Sequence, residues 1–396
     1  MKILWVKSDF LHPAHRGGKI RTLEMLKRLH LRHEIHYIAF DDGASPEAIP
    51  RSSEYATRVY PVPHTVPPRG SPTFFAQLAR NLFSPLPLSL ARYRTAEFRQ
   101  RIHDVQNRES PDVLVCDFLT PSVNIADLSS WVLFQHNVET TIWRRHAEHS
   151  PDPLRKLYFQ RQAERMFNAE ATACRAVKKV IAVSENDART HQTLFGISGV
   201  PSVPTGVDVD AWTPPASSPP IADIVFVGAM DWMPNLDGIE YFLDQILPLI
   251  RRRRPDCSVA IVGRRPPASL ERRADSDAKL QVTGTVDDVR PYLWGSSVAI
   301  VPLRIGGGTR LKIYEAMAAR IPVVSTPVGA EGLDIHPPHD IRLAETPETF
   351  AEACLDLLAD PAGRNTIAEA AWNLVASHHS WEQVTASFEQ ILISTR

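Results

Sequence analysis

The chain has 396 residues, of which 43% are hydrophobic, and a formal net charge of −1 at pH 7. This length fits two domains, and the near-zero charge argues against a partner such as nucleic acid that is held by general basic attraction. The four cysteines form no Cys-x-x-Cys pair and lie far apart, which predicts buried free thiols of a reducing compartment rather than disulfides or a zinc site.

The amino-terminal segment MKILWVKSDF carries charges too early and too often for a signal peptide. No window contains the roughly 18 unbroken apolar residues that a membrane-spanning helix needs. We therefore expect a cytoplasmic protein.

The first half of the chain alternates strand and helix patterns, which predicts a doubly wound α/β sheet. Met1–Val6 is a buried first strand, and Gly17 and Gly18 precede the helical pattern that follows it. A glycine pair after a first strand lies where open α/β sheets bind ligands, although the full Gly-x-Gly-x-x-Gly fingerprint is missing. Further strands are predicted at Glu34–Ala39, Asp112–Cys116, Trp131–Gln135 and Lys179–Val183.

Three features of this half have two interpretations each. We interpret the proline-rich stretch Pro61–Arg94 as a surface excursion, in preference to a loop that faces an acceptor or a membrane. The basic helical region Thr140–Lys179 is a solvated face or, with less support because glutamates are interleaved, a lipid-binding face. His136 follows a strand and is well placed to meet a ligand, but structural histidines are the commoner case.

The middle of the chain predicts a connection between two domains, because Val200–Val209 and the TPPASSPP segment after it are rich in proline, glycine and serine. Asp208 and Asp210 have the Asp-x-Asp spacing of some metal-dependent transferases. Without a third acidic partner nearby, this pair is better interpreted as a turn device, so we predict no metal.

The second half restarts the strand pattern at Ala222, and several of its strands end in loops that contain glycine. Such loops gather along one edge of a parallel sheet, where ligands bind. They contain Gly228, Gly263, Gly284 and Gly306. Arg264, directly after one of them, is a phosphate candidate, and a structural ion pair is an equally open alternative.

The stretch Val298–Gly332 predicts strand, glycine loop, helix and strand in that order. Thr309 is suited to cap the helix, whose free N–H groups attract anions. Arg310 and Lys312 oppose the helix dipole, so they make better phosphate ligands than helix stabilisers. Glu315 lies about one and a half turns into the helix, within reach of a ribose. The alternative is a glycine-rich turn with solvated charges.

A series of motifs extends along nearly the whole chain. One is the run PLRIGGGTRLKIYEAMAARIPVVSTPVGAEGL, and the others are HPAHRGGKIRTLEML, QHNVE, VIAVSENDA, VPTGVDVDAW, FVGAMDWMPNLDGIEYF, IVGRRP, VTGTVDDVRPYL and SWEQV. In content and order these motifs resemble the family 4 glycosyltransferases of the GT-B fold, and in particular the subgroup of bacterial exopolysaccharide biosynthesis. The long run resembles the donor-binding core of that family.

The resemblance implies an α/β protein with two facing Rossmann-like domains and a donor cleft between them. Residues 1–207 would form the acceptor domain, residues 208–376 the nucleotide-sugar-binding domain, and residues 377–396 a helix that packs back on the first domain. The implied reaction is transfer of a hexosyl group, with retention of configuration, from a nucleotide diphosphate sugar to a glycan or a lipid-linked oligosaccharide. No cofactor is implied, and peripheral contact with the membrane is an option.

The resemblance also assigns site residues by position. Glu315 would hold the ribose, and the loop Arg310–Lys312, which includes Leu311, would meet the diphosphate. His136 would lie near the transferred sugar. The remaining donor-binding residues would be Gly17, Gly18, Gly228, Arg264, Thr285, Val286, Gly307, Gly308 and Thr309, with Thr285 and Val286 at the base.

Three positions depart from the family pattern. Gly307 stands where the first of two glutamates, usually in contact with the sugar, is often found. Met230, Asp231 and Asn235 occupy a loop that usually holds an arginine and a lysine. Arg320 stands where a glycine normally closes the helix, which predicts a left-handed backbone. A sugar-nucleotide epimerase of the same architecture and a non-catalytic nucleotide-sugar-binding protein are the alternative functions.

Overall fold

The computed structural model describes residues 1–14, 17–68, 70–148, 150, 152–305 and 311–396. It divides into two compact units, one formed by Met1–Pro204 with Val384–Arg396 and the other by Thr205–Gln383. The family resemblance predicts these divisions after residues 207 and 376. Each unit contains a six-stranded parallel sheet with helices, so the predicted α/β class with two Rossmann-like domains is confirmed.

The sheet of the first unit has the strand order β3-β2-β1-β4-β5-β6. Its strands are β1 (Lys2–Val6), β2 (Glu34–Asp41), β3 (Arg58–Pro63), β4 (Val113–Asp117), β5 (Trp131–Phe134) and β6 (Lys179–Ile181). The helices are α1 (Gly17–His30), α2 (Pro72–Asn81), α3 (Leu88–Ala91), α4 (Ala96–Glu109), α5 (Glu139–Glu148), α6 (Pro153–Ala176) and α7 (Glu185–Phe195), with short 3-10 turns at Pro50–Glu54 and Thr120–Asn124.

The sheet of the second unit repeats this order as β12-β11-β10-β7-β8-β9. Its strands are β7 (Ala222–Val227), β8 (Val259–Val262), β9 (Leu280–Val282), β10 (Ser296–Val301), β11 (Val323–Ser325) and β12 (Arg342–Leu343). The helices are α8 (Val209–Trp212), α9 (Met233–Tyr241), α10 (Leu247–Arg253), α11 (Ala268–Asp275), α12 (Arg290–Trp294), α13 (Leu311–Ala318), α14 (Pro347–Ala359) and α15 (Pro361–His378), with a π-helical turn at Phe242–Ile246. The last helix, α16 (Trp381–Ser394), belongs to the first unit from Val384 onward.

Both sheets reverse their strand order between the first strand and the fourth, and this position determines where ligands bind. In the first unit the reversal lies between β1 and β4, which pair in parallel register. In the second unit it lies between β7 and β10. At such a point the loops leave the sheet in opposite directions and open a crevice at the carboxyl ends of the strands.

The central strands are apolar on both faces because helices cover both faces of each sheet. In the second unit, Phe226 and Ile261 pack into a core on one face, while Val225 and Val262 pack into a second core on the other. In the first unit, the ring of Phe388 in α16 packs against the rings of Trp5 and Phe134, with centroid separations of 5.7 and 4.9 Å.

Local signals set several helix ends as the sequence suggests. Ser184 accepts a hydrogen bond from the backbone N–H of Asp187 and begins α7, and Asp208 caps α8 in the same way, in keeping with its interpretation as a turn device. Arg320 has a φ of 55°, so the left-handed backbone predicted for it is confirmed. All four cysteines are buried and free, as predicted.

Candidate active site

A buried polar cluster lies at the crevice of the first unit, and Asp117 is its centre. Oδ2 of Asp117, the last residue of β4, accepts hydrogen bonds from Trp5 Nε1 at 3.0 Å, Lys7 Nζ at 2.9 Å and Thr22 Oγ1 at 2.7 Å. Burial alone would raise the pKa of Asp117, but the Lys7 charge, His136 and the hydrogen bonds outweigh it and hold that pKa well below its usual range. Asp117 is therefore a fixed buried carboxylate.

His136 stands beside this carboxylate and is 5% exposed. Its Nε2 lies 2.8 Å from Asp117 Oδ1, within ion-pair distance. Its ring stacks on Phe118 with 3.9 Å between centroids. Burial lowers the pKa of His136 to about 3 despite the nearby carboxylate, so the imidazole is neutral at physiological pH.

The predicted glycine pair lies next to His136. Helix α1 begins at Gly17, and a Cβ built on Gly18 would approach Phe118 Cζ to 2.8 Å and His136 Nδ1 to 3.5 Å. The approach to Phe118 is too close for a Cβ, so only a residue without a side chain allows the backbone to come this near to that ring. The structure therefore brings together Gly17, Gly18 and His136, which are distant in sequence.

Lys312 is the centre of the site in the second unit. It lies in the first turn of α13, and its Nζ donates a hydrogen bond to Asn235 Oδ1 at 2.7 Å. The same ammonium group lies 4.4 Å from the centre of the Phe226 ring. A Cβ on Gly228 would come within 2.7 Å of Lys312 Nζ, so the glycine leaves the space that this ammonium group occupies.

Glu315 follows Lys312 one turn along α13 and is half-buried. Burial raises the pKa of Glu315 to about 7, and the charge of Lys312 only partly opposes this effect. No described residue donates a hydrogen bond to its carboxylate. Glu315 is thus ready to change protonation state or to accept hydrogen bonds from a ligand near neutral pH.

The loops after β7 and β8 touch each other beside this site. A Cβ on Gly263 would lie 1.8 Å from the carbonyl oxygen of Gly228. Arg264 Nε lies 3.5 Å from Asp231 Oδ1, and half of the Arg264 side chain is exposed. Arg264 thus forms an ion pair, which was the alternative to phosphate binding in the sequence-based prediction. Its guanidinium group is still accessible from solvent.

The other predicted donor residues occupy different places. Thr285 is exposed after β9, directly behind Gly284 with its φ of 68°, while Val286 packs partly against the core. Leu311 is half-buried at the start of α13. Four predicted residues lie outside the described residues: Gly307, Gly308, Thr309 and Arg310.

The sequence did not predict a site role for Lys7, Asp117 or Asn235, although Asn235 is among the departures from the family pattern. The available signal for the first two was position, because each is a charged residue at the carboxyl end of a buried strand next to the reversal of strand order. The sequence indicated a site role for Asn235 more weakly, by a polar amide in the first turn of α9, the helix that follows β7.

The described residues offer one group with the geometry to hold a cation, formed by Glu34, His36 and Glu109. This group lies at the amino end of β2, at the edge of the sheet opposite to Asp117. Lys2 approaches both of its carboxylates at 3.9 Å, and Arg108 Nε donates to Glu109 at 2.9 Å, so basic side chains already neutralise it. It has no part in the crevice of the first unit.

Two protein families match the chain. Residues 15–211 match the family described as "Glycosyltransferase Family 4", and residues 222–360 match the family described as "Glycosyl transferases group 1". A protein of Klebsiella pneumoniae described as "Uncharacterized 44.6 kDa protein in cps region" is 21% identical over 408 residues, with 98% of each chain covered.

Solved structures share the fold at low sequence identity. The chain is similar to HepE of Anabaena in complex with UDP, with a TM-score of 0.69, 12% identity and all of both chains covered. It is also similar to the sucrose-phosphate synthase of Thermosynechococcus elongatus, with a TM-score of 0.67 and 16% identity over 99% of this chain and 98% of that one. WaaG, a glycosyltransferase involved in lipopolysaccharide biosynthesis, matches with a TM-score of 0.63 and 13% identity over 98% of this chain and 99% of that one. Among the described residues, no helix is both long and apolar enough to span a bilayer.

Proposed function

The chain carries a family 4 and a group 1 glycosyltransferase domain, and from this premise we propose that it transfers a hexosyl group from a nucleotide diphosphate sugar, with retention of configuration. The acceptor is a glycan or a lipid-linked oligosaccharide of polysaccharide biosynthesis. The relative from a cps region supports that setting, and the complexes of HepE with UDP and with UDP-glucose support a nucleotide-sugar donor.

The placement of Lys312 is the observation that carries the proposal. A lysine in the first turn of a helix opposes the helix dipole. Lys312 is nevertheless held in place, because its Nζ donates a hydrogen bond to Asn235 and occupies the space that Gly228 leaves by having no side chain. The position is at the strand reversal of the second sheet, where a diphosphate would bind. Lys312 there meets the negative charge that develops on the departing diphosphate.

The reaction we propose proceeds on one face of the sugar. The bond between the anomeric carbon and the diphosphate oxygen breaks, and the acceptor oxygen forms its bond to the same face of that carbon. The acceptor proton passes to the departing phosphate, so no protein carboxylate acts as a nucleophile and no metal takes part. Glu315 accepts hydrogen bonds from the ribose, and Arg310 adds a second positive charge at the diphosphate.

His136 contributes to sugar binding as a neutral hydrogen-bonding group. Its Nε2 faces the fixed carboxylate of Asp117, which favours the tautomer with the proton on Nε2. Its Nδ1 is then an acceptor, is buried and has no hydrogen-bond partner among the described residues. An unpaired buried acceptor is costly, and a sugar hydroxyl would satisfy it.

The test is donor binding and turnover in a matched pair of lysine variants. Lys312→Ala is expected to lower the turnover number by roughly 100- to 1,000-fold, as the loss of one electrostatic contact to a developing charge does. Lys279→Ala is the control, because Lys279 lies in the same unit on the surface, where it pairs with Asp256. Equal activity of the two variants would exclude Lys312 from the mechanism.

The donor class is tested by thermal-shift titration with UDP, GDP and dTDP sugars. Stabilisation by at least one of them is expected, and no response to any nucleotide would contradict the proposed function. Product analysis separates the alternatives: an epimerised donor without acceptor indicates an epimerase, and a nucleotide response without transfer or hydrolysis indicates a binding protein. Activity that persists in excess EDTA supports the metal-independent route.

A peripheral membrane contact also belongs to the proposal. Phe75, Leu82 and Phe83, on α2 and the turn after it, are 57%, 52% and 92% exposed. Arg165 of α6 donates a hydrogen bond to the carbonyl oxygen of Leu82 at 2.7 Å, which attaches this turn to a basic helix. Sedimentation with anionic vesicles tests the contact, and Phe83→Ser is expected to reduce the fraction of protein that sediments. An unchanged fraction in this variant would exclude the surface as the membrane contact.

A further inference from the structure

A cavity of about 590 Å³ opens in the first unit at the carboxyl ends of β1, β2 and β3. Its wall includes Asp9 from the segment after β1, Asp41 at the end of β2 and His64 directly after β3. Tyr93 and the segment 64–66 come from the proline-rich stretch that the sequence analysis interpreted as a surface excursion. The cavity is separate from the cluster around Asp117, which shares none of its lining residues, and it is large enough for one or two sugar rings.

The described lining of the cavity is negatively charged. It contains three aspartates, Asp9, Asp41 and Asp42, and one lysine, Lys19, which pairs with Asp9 at 3.2 Å. Burial lowers the pKa of His64 below its usual value, so this side chain adds no positive charge near neutral pH. The cavity therefore repels phosphates and carboxylates, attracts cationic groups and admits neutral ones.

Asp41 and Asp42 each leave one carboxylate oxygen for a ligand. Oδ1 of Asp41 accepts the backbone N–H of Gly43 at 3.0 Å, and Oδ1 of Asp42 accepts the backbone N–H of Ala44 at 3.0 Å. These bonds hold both carboxylates in place. No ion pair joins either of them to a cation of the described residues. A carboxylate oxygen held in this way is a strong acceptor for hydroxyl groups.

Aromatic rings form another part of the wall. The rings of Phe40, His64 and Tyr93 form a cluster with centroid separations of 4.6 to 5.7 Å. The carbon-bound hydrogens of a sugar ring make an apolar face that packs on such rings, while its hydroxyls point sideways to acceptors. Carboxylates beside aromatic rings thus fit a neutral polyhydroxylated ring.

We propose that this cavity binds the sugar unit that receives the transferred hexose, as a neutral ring recognised by Asp41, Asp42 and the aromatic wall. The inference rests on the proposed function and narrows its acceptor. The protein extends an existing glycan and does not place the first sugar on a lipid phosphate. The reaction that supplies its acceptor must therefore be a glycosylation that leaves a neutral terminal sugar.

The experiment measures the binding of two kinds of probe to the full chain. The neutral probes are octyl glycosides of glucose, galactose and mannose, below their micellar concentrations, and the anionic probe is octyl phosphate. The variant is Asp41→Asn/Asp42→Asn, in which the amide oxygens can still accept the N–H groups of Gly43 and Ala44. The control is Asp104→Asn, which removes a charge on α4 outside the cavity.

The two kinds of probe are expected to respond in opposite directions. The double variant should bind the preferred glycoside roughly tenfold more weakly, because neutral amide oxygens are weaker acceptors than carboxylates. It should bind octyl phosphate at least tenfold more tightly, because two like charges are gone. Asp104→Asn should leave both affinities unchanged.

Three results would overturn the proposal. The first is a wild-type protein whose affinity for octyl phosphate equals or exceeds its affinity for every glycoside of the panel. The second is an unchanged glycoside affinity in the double variant. The third is an unchanged octyl phosphate affinity in the double variant. The melting-temperature shift caused by UDP, GDP and dTDP sugars reports the donor site separately, so the absence of a response to all of them would contradict the proposed function and leave the glycoside result intact.

Discussion

Replacement of Asp117 by asparagine should destabilise the first unit by several kcal/mol. Lys7 is 1% exposed, and Asp117 is the described carboxylate within ion-pair distance of its ammonium group. Asparagine offers an amide oxygen to Trp5, Lys7 and Thr22 but leaves the lysine charge buried without a counter-charge. Removal of one partner of a buried pair costs about 3–5 kcal/mol, which for a unit of this size lowers the melting temperature by roughly 6–20 °C.

A double variant distinguishes this electrostatic cause from a packing defect. Lys7→Met/Asp117→Asn removes both charges and keeps the amide oxygen for Trp5 and Thr22, so it should recover most of the lost stability. Differential scanning calorimetry of the wild type, both single variants and the double variant completes the cycle. A cost of less than about 1 kcal/mol for Asp117→Asn, or a double variant as unstable as that single variant, would contradict the electrostatic cause.

The remaining predictions concern the other parts of the two sites. The pKa of Glu315 is raised from 4.5 to about 7, so the native carboxyl keeps its proton between these values and the fold loses stability as the pH rises through them. The melting temperature of Glu315→Gln should therefore equal that of the wild type at pH 4 and exceed it by several °C at pH 8. A variant that melts below the wild type at pH 8 would contradict this prediction. Gly263→Ala would place its Cβ 1.8 Å from the Gly228 oxygen, and we expect a loss of about 1–3 kcal/mol in chemical denaturation together with weaker UDP binding. Gly18→Ala would press on Phe118 and should lower transfer activity more than UDP affinity, and unaltered kinetics would contradict the packing described for this loop.

Much of the fold could be predicted because the central strands are apolar on both faces. Met1–Val6, Asp112–Cys116 and Trp131–Gln135 were predicted within one residue of the observed ends, since an unbroken apolar run flanked by helix patterns has few other interpretations. The pattern failed at β3, whose sequence RVYPVP contains two prolines. This strand lies at the edge of its sheet, where a missing backbone N–H is tolerated, and nothing local identified it as an edge strand.

The predicted site residues were those with a strong local signal. Glycines before helices and charges that oppose a helix dipole stand out in one window of sequence, and these signals gave Gly17, Gly18, Lys312 and Glu315. The structure places Gly18 beside Phe118 and His136 and places Lys312 beside Gly228. The roles of these residues in the reaction stay predictions that the variants above would test.

The sequence by itself determined the class of the protein: two α/β units, their glycine loops and the family they resemble. The tertiary structure alone decided which distant residues meet. Lys7 and Asp117 are 110 residues apart, and Asn235 and Lys312 are 77 apart. The physical reason is the parallel sheet, because a crossover of many residues separates strands that become neighbours, so the loops that share a crevice share no local pattern. The charge of the cavity beside β1, β2 and β3 emerged in the same way, because it joins Asp9 after β1 to Asp41 and Asp42 at the end of β2.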